Sequence, residues 1–433
     1  MKRIFILIII SLVIISGCSK KKTNVNNDKI TIVFWHALGG PLGDALNVMI
    51  KEFNDSHSKI YIKAISMGNY TALSQKIMAS IQAGTQPDIA QVFESWTAKM
   101  VDANILKSID DLMDADSTFS KKDLDDFYPI FIKSNMINGK MYSFPFNKSV
   151  RVLYYNKDMF FKNNLDPNLP PKTWNNFIED CKVITKRKAG QDAPTIYGTT
   201  FNVDSWQFEN LLLQAGGQIM NSDYTKPLFN SKYGVEALNY LSDLLNKYQV
   251  AYLSTGYNGQ NDFLAEKVAM MEGSSVSMVF MKRNGINFNL GISAIPVNKT
   301  KKNIISGTNI AIFNKKDTKN ERAAWTFIKW FTDSKQTAEW STLTYYMPVR
   351  KSAFKEESLK KILEYNPEIA SVYDQLNYST FEPPIKQWYK TRKNLKEKVI
   401  EKVLRGSIEP KKALDQVAAN LEKEIKEGAR HEN

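Results

Sequence analysis

Ile30-Thr31-Ile32-Val33-Phe34-Trp35 is a β-branched and aromatic run that reads as a strand. From Pro41 to Phe53 the period changes. Leu42, Leu46, Met49, Ile50 and Phe53 recur on one helical face, with Pro41 near the start. Ile60-Tyr61-Ile62-Lys63-Ala64-Ile65 returns to strand, Tyr70 to Gly84 reads as a helix closed by its glycine, and Pro87-Asp88-Ile89-Ala90-Gln91-Val92-Phe93 is a third strand. Strands separated by helices of this length imply βαβ units and a mostly parallel sheet. On such sheets ligands sit at the loops beyond the carboxyl ends of the strands. Tyr70, at a helix start, and Glu94, just past a strand, fall at such places.

A second αβ set follows. Arg151-Val152-Leu153-Tyr154-Tyr155 is strand-like, helices are expected near 159–164, 174–187, 206–216 and 233–248, and Val268-Ala269-Met270-Met271 is a strand running into Glu272-Gly273-Ser274-Ser275, where a helix is expected to begin. Asn309 to Phe313 reads as a strand, 319–332 as an amphipathic helix, and from Glu357 onward the chain reads as almost wholly helical. No internal repeat stands out.

The amino terminus bears on the compartment. Lys2 and Arg3 precede the apolar run Ile4 to Ile15, broken only by Ser11. That run falls short of the roughly 18–20 residues a bilayer-spanning helix needs and reads as the core of a signal peptide, residues 1–17. Ser16-Gly17-Cys18 resembles a bacterial lipobox, which implies lipid attachment at the Cys18 thiol. Residues 18–28, rich in Lys and Asn, have too little apolar content to fold and would serve as a flexible tether.

Behind the tether lie about 400 residues, enough for more than one core. Hydrophobic content of 43% and charged content of 24% are ordinary for a globular chain. The formal charge of +13, less two if Lys2 and Arg3 leave with the signal, is scattered among acidic residues. With an export signal and no basic stripe interleaved with aromatics, nucleic acid is not the expected partner. Cys181 would remain as the sole thiol of the body, at helical spacing from Trp174 and Phe177, and reads as a small core residue. The three histidines, His36, His57 and His431, belong to no metal-ligand spacing, and no Gly-x-Ser-x-Gly elbow occurs. A secreted glycosidase needs only two carboxylates, and 45 acidic residues leave that alternative open.

Several segments together resemble the bacterial extracellular solute-binding proteins of carbohydrate-type ABC importers. These are Ile32-Val33-Phe34-Trp35-His36, Gly68-Asn69-Tyr70, Pro87 to Glu94, Leu153-Tyr154-Tyr155-Asn156-Lys157-Asp158, Pro171-Lys172-Thr173-Trp174 and Tyr346-Met347-Pro348-Val349. The likeness runs from about 30 to about 425 and is greatest to the branch that binds sn-glycerol 3-phosphate. It implies an α/β, two-lobed periplasmic-binding-protein fold that closes by hinge motion, each lobe a mostly parallel sheet flanked by helices, with a helical C-terminus. Lobe one is expected at 29–147 with 308–348, and lobe two at 148–307 with 349–433. The resemblance further implies a binder rather than an enzyme, with no cofactor and no metal. It implies an ABC permease as partner, a monomer, and a place in the periplasm or on the outer face of the cell membrane.

The resemblance assigns solute contacts to Tyr70, Glu94, Ser149, Ser274, Gly307, Tyr346 and Arg392. Two departures stand out: Arg392 shares its alignment with Lys393, and Lys148 replaces a second serine. The side-chain types suit a phosphorylated polyol. Ser274 at a helix start would offer a cap and an anion site, and Gly307 would admit close backbone approach. Arg392 would give a bidentate contact, Glu94 would accept from hydroxyls, and the tyrosines offer an apolar face with a hydroxyl. Taken alone, Ser274 reads equally as a plain cap, Tyr70 and Tyr346 as core-edge aromatics, Arg392 as a solvated cation, and Trp174 and Trp206 as core residues. A neutral mono- or oligosaccharide remains the alternative solute.

Overall fold

The computed structural model describes residues 29–431. The expected signal peptide, Cys18 and the tether at 18–28 lie outside the described residues. The strands are β1 (Ile30–His36), β2 (Ile60–Ser66), β3 (Ile89–Val92), β4 (Met136–Ile137), β5 (Lys140–Met141), β6 (Phe144–Ser149), β7 (Arg151–Asn156), β8 (Tyr197–Asn202), β9 (Ala251–Ser254), β10 (Val268–Ser274), β11 (Leu290–Ala294), β12 (Asn303–Ile312) and β13 (Ser379–Phe381).

The opening segment folds as its periodicity requires. The helix Gly40–Ser56 buries Leu42, Ala45, Leu46, Met49, Ile50 and Phe53 on one face. The helix Tyr70–Ala83 starts where the Asn69 side chain accepts from the Ala72 amide at 2.9 Å and stops at Gly84 in the left-handed region. These crossovers make β1 parallel to both β2 and β3.

Two main sheets result. The first runs β13-β12-β3-β1-β2, with β6 also paired to β12; the second runs β11-β7-β10-β8-β9. Each joins βαβ pairs that are parallel to strands that are antiparallel. In the first, β12 runs antiparallel to β3 and β6, and in the second, β7 runs antiparallel to β10 and β11. The antiparallel strands are those by which the chain passes from one sheet to the other. Val150 alone separates β6 in the first sheet from β7 in the second. β12 then returns to the first sheet, pairing with β13, β6 and β3 along its length.

Every residue of β6 and β7 is buried. One apolar cluster is continuous across the crossing, joining Ile32, Phe34 and Phe146 of the first sheet to Val152, Tyr154 and Ile292 of the second. A second cluster fills the other face of the second sheet, where Leu153, Tyr155, Phe177 and Leu212 meet Trp388, Leu395 and Leu414 from the C-terminal helices.

After Val349 the chain touches both sheets. Val349, Ala353, Leu359, Val372 and Leu376 pack into the first cluster, which spans both sheets; the helix Ile369–Asp374 lies against β11 of the second sheet, β13 pairs with β12, and from Trp388 the chain joins the second cluster. Apolar periodicity tells which face of a helix is buried but not which sheet covers it. Among the described residues no helix is long and apolar enough to cross a membrane.

Candidate functional site

The polar residues of the molecule converge where β6 and β12 meet the crossing. The register pairs Asn147 with Thr308, Lys148 with Gly307 and Ser149 with Ser306. Gln91, in the middle of β3, accepts from the Ala37 amide at 2.6 Å and donates to Asn147 Oδ1 at 3.2 Å and Thr308 Oγ1 at 3.1 Å. The Thr308 hydroxyl also donates to Asn147 Oδ1. The amide of Asn147, thus fixed, donates to Tyr346 Oη at 2.9 Å and Tyr70 Oη at 3.4 Å. Buried polar groups need partners of this kind, and the result is a hydroxyl and amide network with assigned directions. Burial pushes the phenols of Tyr70 and Tyr346 upward, so both stay neutral. The Tyr70 ring lies 5.0 Å from Phe93, and the Tyr346 ring stacks on Trp340 at 5.8 Å.

Charged residues flank this network. Glu94 opens the helix Glu94–Asp102, and its Oε1 accepts from Lys148 Nζ at 2.7 Å and Asn309 Nδ2 at 3.1 Å. Arg392 lies between two carboxylates, Nη1 at 2.8 Å from Glu382 Oε1 and Nε at 3.2 Å from Glu209 Oε1. Arg151 lies between two more, Asp204 at 2.8 Å and Glu272 at 3.5 Å, with its guanidinium 5.5 Å over the Trp206 ring. The cluster therefore holds five carboxylates against three cations. Burial raises Glu209 well above the usual carboxylate range despite Arg392, raises Glu272, and raises Glu382 to about 7. Burial opposes the charge on Arg392, but Glu209 and Glu382 more than offset it and hold the guanidinium protonated.

Of the expected residues, Tyr70, Glu94, Ser149, Gly307 and Tyr346 gather around β6 and β12. The Ser149 hydroxyl reaches the Ser306 carbonyl at 3.5 Å. Ser274 pairs with Arg151 at the end of β10, and its carbonyl accepts from Tyr154 Oη at 2.8 Å. It caps no helix. The helix begins at Ser277, and Val276 precedes it without a side-chain cap, because the strand pairing with β7 runs through Ser274 and postpones the helix. Gly307 has φ +126°, and a Cβ there would stand 1.9 Å from the Asn147 carbonyl oxygen. The pressing of β6 on β12 thus demands the glycine. Arg392 is the inward-facing, partly buried cation of its helix; Lys393 is exposed, 4.0 Å from Glu397.

The sequence reading missed Gln91, Asn147 and Thr308, the carboxylates Glu209 and Glu382, and Arg151, and it counted Lys148 only as a departure. Trp206 Nε1 donates to the Ile304 carbonyl at 2.8 Å and Trp174 Nε1 to Gln214 at 2.9 Å, so both indoles hold the frame. Cys181 is fully buried, and burial pushes its thiol well up. His36 is buried, and burial lowers it to about 4.

A family model described as bacterial extracellular solute-binding protein matches residues 48–367. The sn-glycerol-3-phosphate-binding periplasmic protein UgpB of Yersinia enterocolitica is 29% identical over 355 residues, 78% of each chain. The Escherichia coli protein of that name is 28% identical over 352 residues, again 78% of each. Among solved structures, UgpB from Mycobacterium tuberculosis in complex with glycerophosphocholine is similar with a TM-score of 0.80 at 22% identity, over 93% of this chain and 99% of that one. The cyclic α-maltosyl-1,6-maltose binding protein from Arthrobacter globiformis gives 0.77 at 23%, over 92% and 100%. Structures named for such different solutes share one two-lobed fold. With the family model spanning most of its length, the chain belongs to the bacterial extracellular solute-binding proteins.

Proposed function

We propose that this chain, the solute-binding component of an ABC importer, captures sn-glycerol 3-phosphate or a related phosphorylated polyol by hinge closure and presents it to the permease. The observation that carries this reading is the juxtaposition, at one crossing point, of a hydroxyl and amide cluster (Tyr70, Asn147, Ser149, Tyr346) with the buried cation Lys148 and the partly buried Arg392. Polyol hydroxyls need neutral groups that both donate and accept; a phosphate needs charge-assisted donors. Relatives named for sn-glycerol 3-phosphate support the same solute. Lipid attachment at Cys18 would keep the monomer at the outer face of the membrane, and no residue is assigned a catalytic role.

A second reading, a neutral mono- or oligosaccharide, is favoured by a specific observation. Each cation at the crossing already faces a carboxylate, and carboxylates are in excess. Isothermal titration of the purified protein with sn-glycerol 3-phosphate and with maltose separates the two. Binding of the phosphate alone supports the first reading; binding of maltose alone discards it for the second.

A further inference from the structure

The three cations at the crossing, Lys148 and Arg151 buried and Arg392 partly buried, are compensated unequally. Arg392 and Arg151 each touch two carboxylates. Lys148 touches one, Glu94, and shares that carboxylate oxygen with the Asn309 amide. An ammonium has three donors, and Glu94 is the one hydrogen-bond partner of Lys148 Nζ among the described residues. Glu382 acts on the pair only at longer range. The Lys148 side chain is 2% exposed and so stands away from bulk solvent. An ammonium buried in this state is costly unless further partners complete its shell.

Its position is set by the backbone. Lys148 pairs with Gly307 on one side, and its carbonyl accepts from the Met347 amide at 2.6 Å on the other. The ammonium is thus held two residues from the point where the chain changes sheets. The adjacent residues Asn147 and Ser149 and the following Tyr346 and Met347 frame the hydroxyl and amide network. Arginine between two carboxylates has its fork occupied, whereas a lysine bonded to one carboxylate keeps donors for an incoming anion without leaving its partner.

We propose that Lys148 is the specificity-determining cation of this site. Its ammonium takes the phosphate of the solute, Glu94, itself held by the Asn309 amide, keeps it in place beforehand, and Arg392 is a positioning residue that anchors Glu209 and Glu382. This rests on the phosphorylated-polyol reading above.

The test is calorimetric titration of the purified protein and its Lys148→Met and Lys148→Arg variants, read as the ratio of affinities for sn-glycerol 3-phosphate and its neutral parent glycerol. Losing a charge-assisted contact lowers that ratio about 10- to 100-fold in Lys148→Met, while Lys148→Arg retains most of it. A merely structural role lowers both affinities together and leaves the ratio unmoved, which overturns the inference. Should Lys148→Met fail to fold, the paired variant Lys148→Gln with Glu94→Gln replaces the ion pair by amides; an unchanged ratio there overturns the inference equally. If the unsubstituted protein binds maltose and no sn-glycerol 3-phosphate, the phosphate reading falls and this inference with it. If it binds the phosphate and the variants keep their ratio, the inference alone falls.

Discussion

Replacing Arg392 by methionine removes the cation between Glu209 and Glu382 while keeping much of the side-chain volume. Both carboxylates are buried, and Glu209 has no exposed surface. Breaking a buried ion pair from one side costs about 3–5 kcal/mol, because the remaining charge stays desolvated. Two carboxyls lose their partner here, but the cost does not double, since burial holds Glu209 protonated and Glu382 can take a proton. Holding a glutamate neutral against an unfolded pKa of about 4.3 costs about 1.4 kcal/mol for every pH unit above that value. Burial already holds Glu209 protonated despite Arg392, so most of the cost falls on Glu382, whose carboxyl is raised to about 7 beside the guanidinium. Arg392→Met is therefore expected to lower unfolding stability by about 3–5 kcal/mol at pH 7.5, and by about 1–2 kcal/mol less at pH 5.5, where protonation is cheaper. Urea unfolding followed by tryptophan fluorescence at the two pH values measures both numbers. Adding Glu209→Gln and Glu382→Gln to Arg392→Met should restore most of the loss, since no uncompensated charge is left to bury. A loss under about 1 kcal/mol that is equal at both pH values would refute the reasoning, because it is what a solvated arginine gives. The experiment also guards the binding assays, for solute affinity lost in Arg392→Met alone can come from a disturbed carboxylate pair. The triple variant separates that from a direct contact.

Other outcomes follow from the same structure. Glu209 and Glu382 have folded pKa values raised by burial, so the folded chain binds protons that the unfolded chain has released, and the stability they contribute is present below about 4.3 and lost as pH rises through about 7 and beyond. His36, lowered to about 4 by burial, acts in the opposite sense only below about 6.5; urea midpoints should therefore fall between pH 6.5 and 8.5, and Glu209→Gln should flatten that fall, whereas a rising profile contradicts it. Gly307→Ala puts a methyl group where the Asn147 carbonyl oxygen stands, at a backbone φ of +126°, and is expected to cost about 2–3 kcal/mol or more in urea unfolding; a cost under 0.5 kcal/mol would mean that β6 does not press on β12. Cys181, fully buried and with its thiol pushed up by burial, should react with a thiol reagent only at the rate of unfolding; immediate labelling of the native protein would place it at the surface.

The βαβ opening from Ile30 to Phe93 was legible because its helices bury one face and so write a clean 3.6 period into the sequence. β6 was not. Phe144-Pro145-Phe146-Asn147-Lys148-Ser149 is buried at every position, yet proline, asparagine, lysine and serine give it the composition of a loop. A strand buried on both sides carries no alternation to read, and here its polar members are stabilised by Gln91, Thr308 and Glu94, which lie far away in the chain. The segment after Val349 shows the complementary limit, since its helices are visible in the sequence but their contacts with both sheets are not.

Side-chain identity and side-chain charge state part company at the site for the same reason. Arg392 stands among Lys390 and Lys393 in a basic helix, and nothing local distinguishes the cation that points inward. Glu209 and Glu382, which bracket it, come from a helix of the second sheet and from the segment just after β13. A list of cleft residues with Ser149, Ser274 and Arg392 in it reads as an anion site only while the carboxylates are out of view. Once Asp204, Glu209, Glu272 and Glu382 are placed beside the two arginines, the arginines are accounted for within the protein. What separates a phosphate from a neutral sugar then falls to the cation with the fewest partners, and that cation, Lys148, stands on the strand that composition alone dismisses.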